Sequence, residues 1–596
     1  MKDIMKFRIL IAGCFVLSAL AGCEKLLDAD PENLQTVDQM YQDVQYAQGF
    51  LVNAYRSIPG YYDNSEYATD DAVTNQKTNS FLQIATGSWT SANNPFNLWQ
   101  SAYGAIQYMN LFLENVDKVK WAEDPVAAEL FNRRMRGEAY GLRALFFYFL
   151  LRNHSGFTAD GKLTGIPIIT QYMTVNSEFN LPRAGFEDCV KQVYKDLDSA
   201  EAYLPLEYTA IGSAAEIPVR FQDITNKKEE SGRKDVYNRV MGDQRQLFNG
   251  LIAKSFRTRM ALLAASPGFL NGQNNTWVTA ADAAAAIIDY KGGISALPAN
   301  GITYYTNTAE IDALGDGRNP SEMIWRENIA TNGDQEGQHF PPTLFGTGYM
   351  NPTQNLVDAF PMANGYPISY NNSGYNASNP YTGRDPRLAA YIIYDGGTAG
   401  VSNAVIRTGS ASGTDDGILR RETSTRTGYY MKKRLRMDVN RNPSSTVNKI
   451  HYNPRIRYTE LYLAYAEAAN EAWGPTAGGS HAYSAYDIIK AVRKRAGVGT
   501  ANGDAYLEEC KADKVRMREL IRNERRLELC FEGFRFWDLR RWKASLTETA
   551  RGMDVNGSGF TPVTVESRSF LDYMNYGPIP LSEILKYNNL QQNKGW

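Results

Sequence analysis

The sequence predicts a mostly α-helical protein, a TPR-like superhelix of helical hairpins that supports a loop-rich region with short strands. Three observations carry this. Apolar residues recur at steps of three and four through much of the chain, the spacing of one buried helix face. Small residues cluster inside those helices, where they let neighbouring axes approach closely: Ala464, Ala466, Ala468, Ala469 and Ala472 in one, and Ala261, Ala264 and Ala265 in another. Between residues 291 and 455 the composition shifts to Gly, Asn, Ser, Thr and Tyr, with strand-like pieces such as Ala389 to Tyr394. The hairpin spacing is too irregular for a strict repeat of about 34 residues.

At the start, Lys2, Lys6 and Arg8 precede an apolar run from Ile9 to Ala21, the pattern of a secretory signal peptide and too short for a permanent membrane span. The run ends Leu20-Ala21-Gly22-Cys23, which resembles the lipobox of bacterial lipoproteins. That resemblance implies cleavage before Cys23, whose sulfur then carries a diacylglycerol. Residues 1–22 are therefore read as signal peptide and 23–36 as a lipidated tether. No later stretch has the apolar length of a span, so the lipid is the expected anchor.

Helices follow in order. Residues 39–58 place Tyr41, Val44, Ala47, Leu51 and Tyr55 on one face, and 96–119 do the same with Trp99, Tyr103, Ile106 and Leu113. Residues 126–152 are apolar round much of the helix and should be central. Further helices are expected over 186–203, 247–265, 279–290, 457–473, 484–496 and 512–531. This divides the chain into a TPR-like helical region (37–290), a loop-rich ligand-side region (291–455) and a C-terminal helix pair (456–596) packed with the first helices as one unit.

Composition excludes some functions. Of 596 residues 43% are hydrophobic and the net charge is −2, so a large core is available while the basic surface that nucleic acid selects is missing. Gly156 to Lys162 spells most of a phosphate-binding loop, but Leu163 stands where Ser or Thr must hold magnesium and the segment follows a helix. The four histidines are scattered without a partner at ligand spacing, and Asp312 to Gly317 lacks the oxygens of a calcium loop. No metal and no cofactor is expected. Cys189, Cys510 and Cys530, odd in number and widely spaced, form no disulfide framework.

The strongest signal is Arg522-Asn523-Glu524-Arg525-Arg526-Leu527-Glu528-Leu529-Cys530-Phe531-Glu532-Gly533-Phe534-Arg535-Phe536-Trp537-Asp538-Leu539-Arg540-Arg541-Trp542. Arg and Glu at helical spacing can form a paired-charge seam while Phe536, Trp537, Leu539 and Trp542 turn inward, which reads as a fold staple rather than a ligand site. This segment resembles the signature of the SusD/RagB family of outer-membrane nutrient-binding lipoproteins. Arg136-Gly137-Glu138-Ala139, Asp385-Pro386-Arg387, Arg457-Tyr458-Thr459-Glu460 and the close from Tyr587 to Trp596 extend the resemblance over the whole chain. It implies a source in the Bacteroidota and a lipid-anchored protein on the outer face of the outer membrane. It also implies that the protein captures oligosaccharide and passes it, without chemistry, to a SusC-like TonB-dependent transporter. Peptide capture, as in RagB-like relatives, and a surface glycoside hydrolase are the alternatives.

Sugar capture needs flat aromatic faces beside amides and carboxylates. The loop from Pro59 to Pro95, which helps build the ligand face in the family, holds Tyr61, Tyr62, Asp70, Asp71, Asn75 and Trp89, with Trp89 the first choice for an exposed platform. Tyr304, Tyr305 and Tyr349 are the corresponding candidates in the middle region. Trp325, Trp473, Trp537 and Trp542 are assigned to the core, as is Cys530.

Overall fold

A computed structural model describes residues 37–244, 246–270, 276–315 and 318–596. The expected signal peptide, Cys23 and the tether to residue 36 lie outside the described residues. Ten helices carry the architecture: α1 (Val44–Arg56), α2 (Trp99–Asn115), α3 (Pro125–His154), α4 (Phe186–Tyr203), α5 (Gly250–Ala265), α6 (Trp277–Lys291), α7 (Tyr458–Trp473), α8 (Ala485–Arg495), α9 (Lys514–Leu529) and α10 (Arg535–Trp542). Their starts follow from capping chemistry. Asp43 accepts from the Gln45 and Tyr46 amides, Asp124 precedes Pro125 and accepts from Val126, and Ser484 forms a reciprocal box with Asp487.

Each helix packs on the next, from α1 on α2 through α6 on α7, and α7 then packs on both α8 and α9. This makes the mostly helical, TPR-like frame that the periodicity predicts. One apolar core runs through it, joining Ile106, Leu145, Leu197, Phe256 and Ile288 to Leu461, Ile489 and Ile521. From Leu142 to Leu151 every residue of α3 is buried, as a helix apolar round much of its surface requires, and its one charge, Arg143, pairs with Asp196 at 2.7 Å. Gly137 and Gly141 allow the close approach of this helix to its neighbours: a Cβ at Gly137 would meet the Leu204 side chain at 2.6 Å and one at Gly141 the Phe248 ring at 2.2 Å.

A second apolar cluster, from Tyr67 and Trp89 through Leu356 and Tyr391 to Phe536 and Trp537, underlies the loop-rich region. Among the described residues every sheet there and elsewhere has two strands. One of them pairs Ala72–Thr74 antiparallel with Met350–Pro352, Ala72 opposite Pro352, and so ties the first loop to the middle of the chain. Two expectations need correction. Ala389 to Tyr394 is not one strand: Asp385 caps a short helix, Pro386–Tyr391, and only Ile392–Ile393 pairs, with Tyr430–Met431. The helix Glu230–Met241 was not anticipated, because its first half is polar and only Val236, Tyr237, Val240 and Met241 are buried.

The charged seam at the C-terminus is interior. Arg387 contacts Asp385, Glu524 and Glu528 at 2.7, 2.9 and 3.0 Å, all four side chains inaccessible to solvent. Arg457 pairs with Glu322 and Glu532 at 2.8 Å each, and Lys433 joins Glu532 at 2.6 Å. Burial opposes ionisation of Glu532, but Arg457 and Lys433 overcome it and hold its carboxyl down to about 2. Phe536, Trp537, Leu539 and Trp542 are buried beside this seam, and Cys530 is buried too.

His154, at the end of α3, is fully buried with Nδ1 donating to the Pro578 carbonyl at 2.7 Å. Burial, opposed by that bond and aided by Arg183 and Arg540, pulls its pKa down to about 4. The folded ring resists a proton that the unfolded ring accepts near 6.5, so the stability it contributes is complete above about pH 6.5 and falls by about 3 kcal/mol as pH drops to about 4. Chemical denaturation of His154→Gln between pH 7 and 4.5 should show a shallower acid decline than the unmodified protein. Comparing the two removes buried carboxylates such as Glu66, whose raised pKa acts in the opposite sense.

Candidate functional site

The loop after α1 and the short helix Asp334–His339 face each other across a cavity of about 320 Å³. Tyr61, Tyr62, Asn64, Tyr67 and Gln76 line it from the first loop, and Gln335, Gln338, His339 and Tyr349 from the middle region. Glu327, Arg434 and Asn453 complete the wall. Each side is fixed locally. Asp63 caps the turn Asn64–Ala68 through the Ser65 amide. Tyr349 is held by its amide, which donates to the Gln338 carbonyl at 2.9 Å, and by the strand pairing of Met350 with Thr74.

The wall is aromatic and amide-rich. The Arg434 guanidinium lies 3.7 Å from the centre of the Tyr62 ring, and the Tyr62 hydroxyl is 3.2 Å from that of Tyr304. His339 meets the edge of Tyr349 at 6.4 Å between ring centres. Burial, and then the charge of Arg434, push the His339 pKa well below its ordinary value, so the ring is neutral. Asn453 donates to Glu327 at 3.0 Å, and Arg455 holds the same carboxylate at 3.2 Å. Half-buried rings next to Gln335, Gln338, Asn64 and Asn453 offer an apolar face together with paired donors and acceptors, the combination that a polyhydroxylated ring requires. A smaller cavity of about 90 Å³ adjoins it through Gly60 and Tyr61 and is walled by Arg152, Trp325, Phe534 and Trp537.

The structure separates the residues singled out in sequence. Tyr62 and Tyr349 line the cavity. Asn75 stands behind it, donating to the Thr347 and Gly348 carbonyls at 2.9 and 3.0 Å and so fixing the backbone that leads into Tyr349. Tyr304 and Tyr305 form a buried layer beneath Tyr62, with the Tyr304 carbonyl accepting from the Tyr452 hydroxyl, so neither presents a face to solvent as expected. Asp70 and Asp71 are also corrected from ligand groups to structural ones. Burial disfavours their charge, but Arg526 and Arg535 hold the Asp70 carboxyl well below the usual range, and Arg526 donates to Asp71 at 2.6 Å.

Trp89 is the largest correction. It is 2% exposed and clamped between Phe96 and Trp596, with ring centres 5.1 and 4.3 Å away. The indole plugs the core under its loop because the C-terminal Trp596 folds back over it, a contact that no local pattern reveals.

Arg434, Glu327, Gln335 and Asn453 were not anticipated. Gln335 comes from the short helix Asp334–His339 and the others from separate loops, and only the long-range pairing of the chain assembles them. A larger and more apolar groove of about 540 Å³, lined by Trp99, Tyr103, Tyr108, Tyr172 and Phe179, lies on the helical face and contains none of the residues that the sequence offers as ligand contacts.

Comparison with known proteins bears on the reading. Residues 321–596 match the model of the SusD family, and residues 25–215 match a model described as starch-binding and associating with the outer membrane. Two SusD-like proteins of Formosa agariphila are similar, one 22% identical over 88% of this chain and 89% of its own length, the other 24% identical over 97% of each. Among solved structures, a SusD-like carbohydrate-binding protein from Bacteroides fragilis superimposes with a TM-score of 0.67 at 21% identity, covering 93% of this chain and 100% of that one. A laminarin-binding SusD-like protein gives 0.56 at 18% identity, covering 93% and 99%.

Proposed function

Because the chain belongs to the SusD-like family, we propose that it is a lipid-anchored protein of the outer cell surface that captures oligosaccharide and delivers it to a SusC-like TonB-dependent outer-membrane transporter. The observation that carries this reading is the cavity in which Tyr62 and Tyr349 stand beside five side-chain amides. Its groups suit reversible binding: its titratable imidazole is neutral, and its Glu327 carboxylate is engaged by Arg455 and Asn453. Binding and release, rather than bond cleavage, is the activity proposed.

A glycan array probed with the full chain in non-ionic detergent tests this. Binding to at least one oligosaccharide, with the glycan recovered intact, is the expected result. Binding of peptides alone would move the reading to peptide capture, and glycan cleavage would make the protein a hydrolase.

Anchoring has a separate test. Among the described residues no helix is long and apolar enough to cross a membrane. Two or more acyl chains at about 0.8 kcal/mol per buried CH₂ suffice for stable attachment. Cys23→Ser should therefore move the processed protein from the membrane fraction to the soluble fraction in cells lacking the partner transporter, or leave its signal uncleaved. A processed Cys23→Ser protein that remains fully membrane-bound would exclude the lipid anchor.

A further inference from the structure

Among the described residues, the cavity wall contains one cation that no carboxylate contacts. Arg434 is 7% exposed and lies over the Tyr62 ring. Its guanidinium donates to the Phe531 carbonyl at 3.0 Å and to the Gln335 side-chain oxygen at 2.6 Å, both uncharged, and its buried Nε has no hydrogen-bond partner. Arg387, by contrast, contacts three carboxylates, and Arg457 and Arg493 contact two each, whereas the buried Arg384 and Arg540, which do not line this cavity, are met by backbone carbonyls. A buried guanidinium without a counter-charge is costly unless something supplies one.

The nearby acids do not supply it. Glu327, on the same wall, is occupied by Arg455, and Glu532 behind the wall is shared by Lys433 and Arg457. The backbone adds a second sign. Arg434 sits at φ +75°, a left-handed conformation unfavourable for a long side chain, and strain of this kind is retained where surrounding structure fixes a residue for a purpose. The chain therefore holds a positively charged, aromatic-backed group with unused N–H donors at the edge of a cavity of about 320 Å³.

We propose that this cavity takes acidic oligosaccharides, with an anionic substituent of the sugar, a uronate carboxylate or a sulfate ester, paired to Arg434. This deepens the reading of the cavity as a glycan site and rests on it. The guanidinium supplies the charge, the amides of Gln335, Gln338 and Asn453 supply hydroxyl partners, and Tyr349 supplies an apolar face.

The test is calorimetric titration of the full chain in non-ionic detergent with a panel of neutral and acidic oligosaccharides. Laminarihexaose represents the neutral class, hexagalacturonate the carboxylates and a κ-carrageenan hexasaccharide the sulfate esters. The expected result is that an acidic probe binds about tenfold or more tightly than the neutral one at low salt and loses most of that advantage near 0.5 M NaCl. Comparing the two acidic probes distinguishes carboxylate from sulfate. Arg434→Gln should weaken the acidic probe about tenfold or more beyond whatever it costs the neutral one, and this selective loss should be partly rescued by Arg434→Lys.

Should Arg434→Gln fail to fold, the salt dependence of the unmodified protein decides. Neutral probes bound as tightly as acidic ones, or acidic binding indifferent to both salt and Arg434, would overturn this proposal and leave glycan capture standing. No binding to either class would overturn both.

Discussion

Replacing Arg387 with methionine is expected to leave little folded protein. The side chain holds Asp385, Glu524 and Glu528 in an interior without solvent, and methionine fills much of its volume but none of its charge. Removing one partner of a buried pair costs about 3–5 kcal/mol because the other is left uncompensated. Here three carboxylates lose a partner, although Arg493 still reaches Glu524 and Arg495 still reaches Glu528, at 2.7 and 3.0 Å. Set against a typical total stability of about 5–15 kcal/mol, that loss is large. Soluble yield and the thermal midpoint by circular dichroism should both fall steeply. A midpoint unchanged from the unmodified protein would mean that this seam is less closed to water than its burial indicates.

Trp89→Ala is the second large effect, and its character is as informative as its size. An exposed platform would lose affinity and keep its stability. A plug between Phe96 and Trp596 should instead lose about 3–5 kcal/mol of stability through the cavity left behind. The indole Nε1 has no hydrogen-bond partner, so removing it also relieves an unsatisfied donor and places the expected loss toward the lower end of that range. The protein that remains folded should bind glycan with little change. A normal melting temperature with lost affinity would return Trp89 to the ligand face.

Much of the frame was legible in the sequence because it depends on local rules. The expectation over 186–203 coincides with α4, since Phe186, Cys189, Val190, Val193, Leu197 and Ala200 write the buried face in a continuous stretch. The signature likewise announces both its charges and its inward aromatics at helical spacing.

The site was legible only in part, for a physical reason visible in its residues. A tyrosine in a Gly- and Asn-rich loop has the same local pattern whether it ends at a surface, as Tyr62 and Tyr349 do, or beneath one, as Tyr304 does. Which occurs depends on long-range pairing such as that of Thr74 with Met350, across nearly half of the chain. Asp70 and Asp71 misled for a related cause. Acids in a polar loop suggest sugar contacts, yet Arg526 and Arg535 of the C-terminal signature reach back and consume them. Arg434 gave no signal at all, because its meaning lies in the carboxylate that is missing beside it.

The central claim, that the chain binds oligosaccharide in the cavity between the first loop and Asp334–His339, is tested most directly by titrating a glycan found on the array into the full chain and into Tyr349→Ala. Borrowing the scale of base stacking on aromatic side chains, loss of this ring should cost about 1–3 kcal/mol of binding, an affinity about five- to hundredfold weaker. The thermal midpoint should barely move, because Tyr349 is only half-buried. Unchanged affinity in a folded Tyr349→Ala protein would contradict the assignment and direct attention to the groove lined by Trp99, Tyr103 and Tyr172.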